Sequence, residues 1–119
     1  MFAFKLAPEG SSLFLGGVDT ALYTDPVEFH PVVPDTGHWQ VPDTTAHVGS
    51  ATPNIGFDAI IDSGTTLVYG PVGDVQAFYS AIPGSQSLGG GVWSYPCDDL
   101  PTISFSWNGG ESWEITPEK

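Results

Sequence analysis

Glycine and proline recur so often along this chain that no apolar run can continue for long, and this limits the fold more than any other feature. Fifteen glycines and eleven prolines are scattered between short apolar segments. That is the pattern of many short strands joined by tight turns. Phe2, Phe4 and Leu6 alternate with Ala3 and Lys5, a period of two that predicts a strand. Pro8-Glu9-Gly10-Ser11-Ser12 predicts a turn, and Leu13-Phe14-Leu15 a second strand ended by Gly16-Gly17. The run from Val27 to Val33 contains Pro31, so it reads as an edge or irregular strand. His38-Trp39-Gln40-Val41 reads as another short strand, and the polar, turn-rich residues 42–56 as an exposed connection. Phe57-Asp58-Ala59-Ile60-Ile61 predicts a buried strand entering a turn at Asp62-Ser63-Gly64, from which Leu67-Val68-Tyr69 leaves as a further strand.

One segment has a different period. Val72, Val75, Phe78, Tyr79 and Ile82 recur at helical spacing, which predicts a helix over residues 72–82 closed by Pro83-Gly84. Gly89-Gly90-Gly91 reads as flexible, and strands return at Val92–Tyr95, Ile103–Trp107 and Trp113–Ile115. No internal repeat is visible. The expected class is all-β and antiparallel, one domain over residues 1–119 with a short helix near 72–82.

Charge excludes several functions. Lys5 and Lys119 face fourteen carboxylates, there is no arginine, and the formal charge is −12. A nucleic-acid binder needs a cationic footprint, and an anionic membrane surface needs the same, so neither partner is expected. No run approaches the ~18 apolar residues of a membrane span. Such a chain repels itself at neutral pH and is relieved as its carboxylates protonate, which fits an acidic setting. Met1–Leu6 lacks the basic start and long apolar stretch of a signal peptide, so the chain reads either as cytosolic or as beginning inside a longer secreted precursor. Cys97 is the only cysteine, so no intramolecular disulfide can form, and it reads as a small buried hydrophobe. His30, His38 and His47 are too far apart for a compact metal motif and read as surface or strand histidines. Trp39, Trp93, Trp107 and Trp113 read as core or half-buried packing. No phosphate loop or Ser-His-Asp order stands out, and no metal or cofactor is expected.

Asp62-Ser63-Gly64-Thr65-Thr66 carries the most chemistry. Asp-Ser-Gly by itself is a common turn, because Asp and Ser bond locally to backbone and Gly accepts positive φ. Here an apolar strand ends in the carboxylate, small residues follow, and a second apolar segment leaves at once. That context holds a carboxylate at a strand end among hydroxyls and amides.

These residues reach a known family. Leu13-Phe14-Leu15-Gly16-Gly17-Val18-Asp19, then Tyr23-Thr24, then His38-Trp39-Gln40-Val41 resemble successive landmarks in the C-terminal lobe of pepsin-like aspartic proteases. Ala59-Ile60-Ile61-Asp62-Ser63-Gly64-Thr65-Thr66-Leu67 resembles the catalytic segment, with Gly70-Pro71 following. Cys97, Leu100-Pro101-Thr102-Ile103-Ser104-Phe105 and Asn108-Gly109 resemble later strands, so the likeness runs from about Phe2 to Ile115. The resemblance implies that Asp62 is the second catalytic aspartate and that Ser63 is the hydroxyl bracing the two catalytic loops. It implies that Gly64 lets substrate approach and that Thr65 and Thr66 line the cleft. His38 stands where the family often has a tyrosine near the substrate.

The same comparison implies departures. Nothing resembles the N-terminal lobe with its first aspartate and flap. The expected apolar-apolar-glycine strand and closing strands are absent, which would place Lys119 inside a lobe. The family's usual partner for the cysteine at Cys97 is absent too.

In the family, an ionised aspartate takes a proton from water while a protonated one gives a proton to the scissile carbonyl, and proximity forces their pKa values apart. A lone carboxyl with a reference pKa near ~3.9 is protonated in about one molecule per thousand at pH 7. The expectation is therefore a protease-derived lobe without catalysis as a monomer. One alternative is a small acidic secreted ligand, for example of a taste or immune receptor. Another is an active aspartic endopeptidase that cleaves peptide or protein substrates as a homodimer or with a missing lobe. Exposed strand edges would also permit a strand-swapped dimer. By resemblance the setting is extracellular or an acidic vacuole.

Overall fold

A computed structural model describes residues 1–116; Lys119, which the resemblance places inside a lobe, lies outside the described residues. Eight strands and one helix follow in the order β1 (Phe2–Lys5), β2 (Ser12–Leu15), β3 (Gln40–Val48), β4 (Ala51–Ile60), α1 (Val72–Ser80), β5 (Gln86–Gly89), β6 (Val92–Ser94), β7 (Ile103–Trp107) and β8 (Trp113–Ile115). Every pairing is antiparallel. A four-stranded sheet runs β4-β3-β7-β8, flanked by two separate two-stranded sheets, β1-β2 and β5-β6. This is the all-β fold with one short helix that the residue pattern predicts.

The largest correction falls on residues 42–56. They are not an exposed connection but most of the β3–β4 hairpin, paired from Gln40↔Ile60 to Val48↔Ala51. Their polar composition hides alternation. Val41, Thr44, Ala46 and Val48 are buried, and with Ile82 they make up most of what is fully buried. Threonine serves here because it is β-branched and fits a pleated surface, while its hydroxyl finds the Val41 carbonyl at 3.4 Å. The register then sorts the sheet into two faces. Thr44, Ala46 and Val48 oppose Trp107, Phe105 and Ile103, and the last two oppose Trp113 and Ile115. On the other face Thr45 opposes Ser106 and His47 opposes Ser104. There His47 Nε2 lies 2.9 Å from Ser106 Oγ, and Ser104 Oγ lies 2.7 Å from Ser112 Oγ, so the buried hydroxyls are satisfied.

Other expectations shift in smaller ways. Residues 27–33 form no strand; they meet β3 only at its start, by one backbone bond from Val33 N–H to the Gln40 carbonyl at 2.8 Å. His38 and Trp39 precede β3 rather than belonging to it, and Leu67-Val68-Tyr69 is irregular and exposed. Asn54 Nδ2 reaches the carbonyl of Asp74, in the first turn of α1, at 3.2 Å and so ties α1 to β4. The helix stops at Ser80, short of 82, and none of its residues is buried; Ile82 beyond it is. Gly90-Gly91 is not a flexible run but the two-residue turn of the β5–β6 hairpin, with φ of 61° and 81°. Both values positive suit a type I′ turn, whose twist matches the strands. Tyr79 stacks on Trp93 at 5.3 Å, which joins this hairpin to α1.

Cys97 is exposed, against its expected burial. Trp39 and Trp113 are exposed as well, while Trp93 and Trp107 are half-buried. The solvent-accessible surface is 8892 Å² for a 12.6 kDa chain, where a compact monomer of that mass has about 6,200 Å². Large apolar side chains account for much of the difference, among them Phe29, Trp39, Leu67, Val68 and Tyr69.

Candidate active site

β3 and β4 deliver the candidate site. The Trp39 carbonyl accepts from Ile61 N–H at 2.9 Å, one step past the β3–β4 ladder, and the chain then leaves the sheet into the turn at Ser63-Gly64. Asp62 therefore sits just beyond the end of β4, where the sequence pattern predicts a carboxylate at a strand end. The supporting strand is less buried than predicted, with Ile60 and Ile61 both more than half exposed.

Both oxygens of Asp62 are held from within the loop. Gly64 N–H donates to Oδ1 at 2.8 Å and Thr65 Oγ1–H donates to Oδ2 at 2.5 Å. These donors favour the ionised form, so the Asp62 carboxyl is held below the usual range. The Thr65 hydroxyl contributes most and the Gly64 amide next; partial desolvation opposes them, and the His38 imidazole adds a small attraction. A side chain at Gly64 would have its Cβ 3.2 Å from Asp62 Oδ1, so the carboxylate would have to shift by a few tenths of an ångström to admit one.

The structure thus brings Asp62, Gly64 and Thr65 together; the hydrogen bonds of the His38 backbone go to Thr36 instead. Ser63 and Thr66 are exposed beside them. The exposed aromatic side chain of Trp39 lies next to this loop, edge-on to Phe2 at 5.7 Å.

A second Asp-hydroxyl-Gly tripeptide, Asp35-Thr36-Gly37, escaped the sequence reading, though it is visible in the letters. It is a different object. Asp35 and Gly37 take φ of 61° and 71° in a reverse turn, and the bonds that shape the turn run through Thr36 Oγ1, to the carbonyls of Val33 and His38. The Asp62 turn is built around its carboxylate, the Asp35 turn around its neighbour's hydroxyl.

The family described as eukaryotic aspartyl protease matches residues 1–119. The chain is 37% identical to an aspartic protease of Phaffia rhodozyma over 97% of its own length and 30% of the relative's. It is 36% identical to cathepsin D of Rattus norvegicus, with 92% and 28% covered, and 37% identical to napsin-A of Homo sapiens, with 81% and 23% covered. It therefore spans less than a third of the length of these relatives. A match of this identity along the whole chain, with the antiparallel fold and the Asp62 loop in place, means that the chain belongs to the eukaryotic aspartyl protease family.

Proposed function

We propose that this chain corresponds to part of the C-terminal lobe of a pepsin-like aspartic endopeptidase, supplies Asp62 as one of two catalytic carboxylates, and does not cleave peptides by itself. The observation that carries this reading is the Asp62 loop, a carboxylate gripped by Gly64 N–H and Thr65 Oγ1 at the exposed end of β4. An ionised carboxylate held this way suits the base that takes a proton from water. The acid that protonates the scissile carbonyl has to be a second carboxyl close enough to share a proton. Asp35 belongs to a turn of another kind, so the second carboxyl is sought outside this chain. The surplus of exposed apolar surface supports a working state in which this chain packs against another body.

Two companions are compatible with that need: the rest of a two-lobed protease, or a second copy of the chain. The relatives' greater length favours the first. The acidic composition agrees with a secreted or vacuolar setting, where low pH keeps one carboxyl of the pair protonated.

Cleavage of denatured haemoglobin at acid pH, with and without pepstatin, tests the reading on the purified chain and on its Asp62→Asn variant. No cleavage by either is the expected result. Pepstatin-sensitive cleavage that Asp62→Asn abolishes would overturn it in favour of a homodimer with two Asp62 loops in one site.

A further inference from the structure

Glu28, like Asp62, accepts two hydrogen bonds, with a histidine beside it, and it lies in the stretch after β2 that forms no strand. Trp113 Nε1–H donates to Oε2 at 3.0 Å and Glu111 N–H donates to Oε1 at 3.2 Å. His30 Nε2 lies 3.4 Å from Oε2, an electrostatic contact rather than an aligned hydrogen bond. His30 Nδ1 in turn lies 3.3 Å from Asn108 Nδ2; with the amide donating, the neutral imidazole keeps its proton on Nε2, facing Glu28. The His30 ring also leans on Trp107 at 6.0 Å. The carboxylate thus joins residues 28–30 to β8 and the turn of the β7–β8 hairpin, and the His30 ring adds a contact with β7.

The turn is shaped around that carboxylate. An added Cβ on Gly110 would overlap Glu28 Oε1. Gly110 itself continues the turn by donating to the Trp107 carbonyl at 2.8 Å. The Glu28 carboxylate thus occupies the space a side chain at Gly110 would take, and such a side chain would have to displace it. Beside the cluster lies an open recess of about 430 Å³ bordered by Tyr23, Asp25, Val27, Glu28 and Trp113.

We propose that Glu28 is an acid-released latch, which pins residues 24–33 against β8 while ionised and releases them from Trp113 when it takes up a proton. Ionised, it accepts from two donors, Trp113 Nε1–H and Glu111 N–H, and attracts His30. Protonated, it loses the charge that makes these bonds strong and turns one oxygen into a donor facing N–H groups. The titratable groups around it are His30, Asp25 and Tyr23 on its own segment, Glu111 and Glu114 from the hairpin, and Asp43, whose carbonyl binds Asn108 N–H. Of these, His30 adds an attraction for the ionised form. The Trp113 bond is the main reason the Glu28 carboxyl sits below the usual range; the Glu111 amide and His30 add to it and partial desolvation opposes. The sign follows: a depressed carboxyl stabilises the closed latch above the unfolded-state value, and that stabilisation is lost as pH falls through the folded-state value.

Hydrogen exchange of the 119-residue chain, corrected for intrinsic rates, together with the Trp113 indole N–H resonance, reads the latch between neutral pH and about pH 3. In the native chain, protection of residues 27–33, which rests on the Val33 amide bonded to the Gln40 carbonyl, should fall by about tenfold or more on acidification while the β3–β4 amides stay protected, with the Trp113 resonance moving in step. Glu28→Gln should show the low-pH pattern at every pH. Gly110→Ala should do the same, because its methyl displaces the carboxylate while leaving the hairpin paired. Protection of 27–33 that ignores pH overturns the proposal. So does loss that coincides with opening of β3–β4, or a pH dependence that survives Glu28→Gln.

Discussion

The Thr65 hydroxyl stands 2.5 Å from Oδ2 of Asp62, three residues earlier, and fills the oxygen that the Gly64 amide leaves open. The residues after the aspartate thus hold its carboxylate in place and favour its ionised form. Thr65→Val keeps the shape and removes the largest donor. Asp62 should then titrate at higher pH, as followed by the carboxyl carbon resonance. Because the folded-state value is depressed, the bond stabilises the loop above the unfolded-state value and is lost as pH falls through the folded one. An unmoved titration in Thr65→Val would remove Thr65 from this role.

Asp35 provides the control for Asp62. In a longer protein that carries this chain and cleaves peptides, Asp62→Asn should abolish turnover. Asp35→Asn should leave kcat within about twofold, since its turn is organised by Thr36 and asparagine also tolerates positive φ. Comparable losses in both variants would return Asp35 to the catalytic machinery.

Stability should depend on very few side chains. Val48, 3% exposed on β3, should cost about 2 kcal/mol when changed to alanine, from lost burial and the cavity left behind. Val68, 80% exposed after the Asp62 loop, should cost less than about 0.5 kcal/mol for the same change. Urea midpoints at constant m-value measure both, and equal costs would mean that Val68 is covered in solution.

Two glycines with open space around them should respond in opposite directions. Gly73→Ala, inside α1, should stabilise by about 0.5–1 kcal/mol, because alanine loses less backbone entropy in a helix. Gly91→Ala, at φ 81° in the β5–β6 turn, should destabilise by about 1–2 kcal/mol. Thermal melts of the two variants distinguish a conformational effect from a packing one, since neither methyl meets a neighbour.

Association should follow charge. At neutral pH the formal charge of −12 opposes self-contact between exposed apolar surfaces, and near the sequence isoelectric point of about 4.1 that opposition is gone. Sedimentation velocity should show the weight-average mass rising as pH falls toward this value. It should also rise with salt at pH 7, because screening acts in the same direction. A mass constant in both series would mean that the apolar surface is not self-adhesive.

Much of this protein was legible in its residues. The spacing of glycine and proline cut the chain into short strands, Val72 to Tyr79 announced the helix, and Asp62-Ser63-Gly64-Thr65 identified the carboxylate loop and its family. Those are local properties, because turn chemistry, helical period and motif are each written within about ten residues. What the sequence hid was decided across distance. Residues 42–56 looked like a polar connection because threonine counts as polar, yet pairing with β7 buried Thr44 completely and made this the core strand. Leu67, Val68 and Tyr69 looked like a strand because they are apolar, yet strandhood needs a partner edge and none of the described strands meets them. Asp35-Thr36-Gly37 and Asp62-Ser63-Gly64 are nearly the same letters, and only the donors around each carboxylate tell them apart. Glu28 lies 85 residues before Trp113 and nearly as far from Gly110, and no periodicity links it to them. Their meeting exists only because β7 and β8 fold back against the segment that follows β2, and a hydrogen bond depends on that distance in space rather than along the chain.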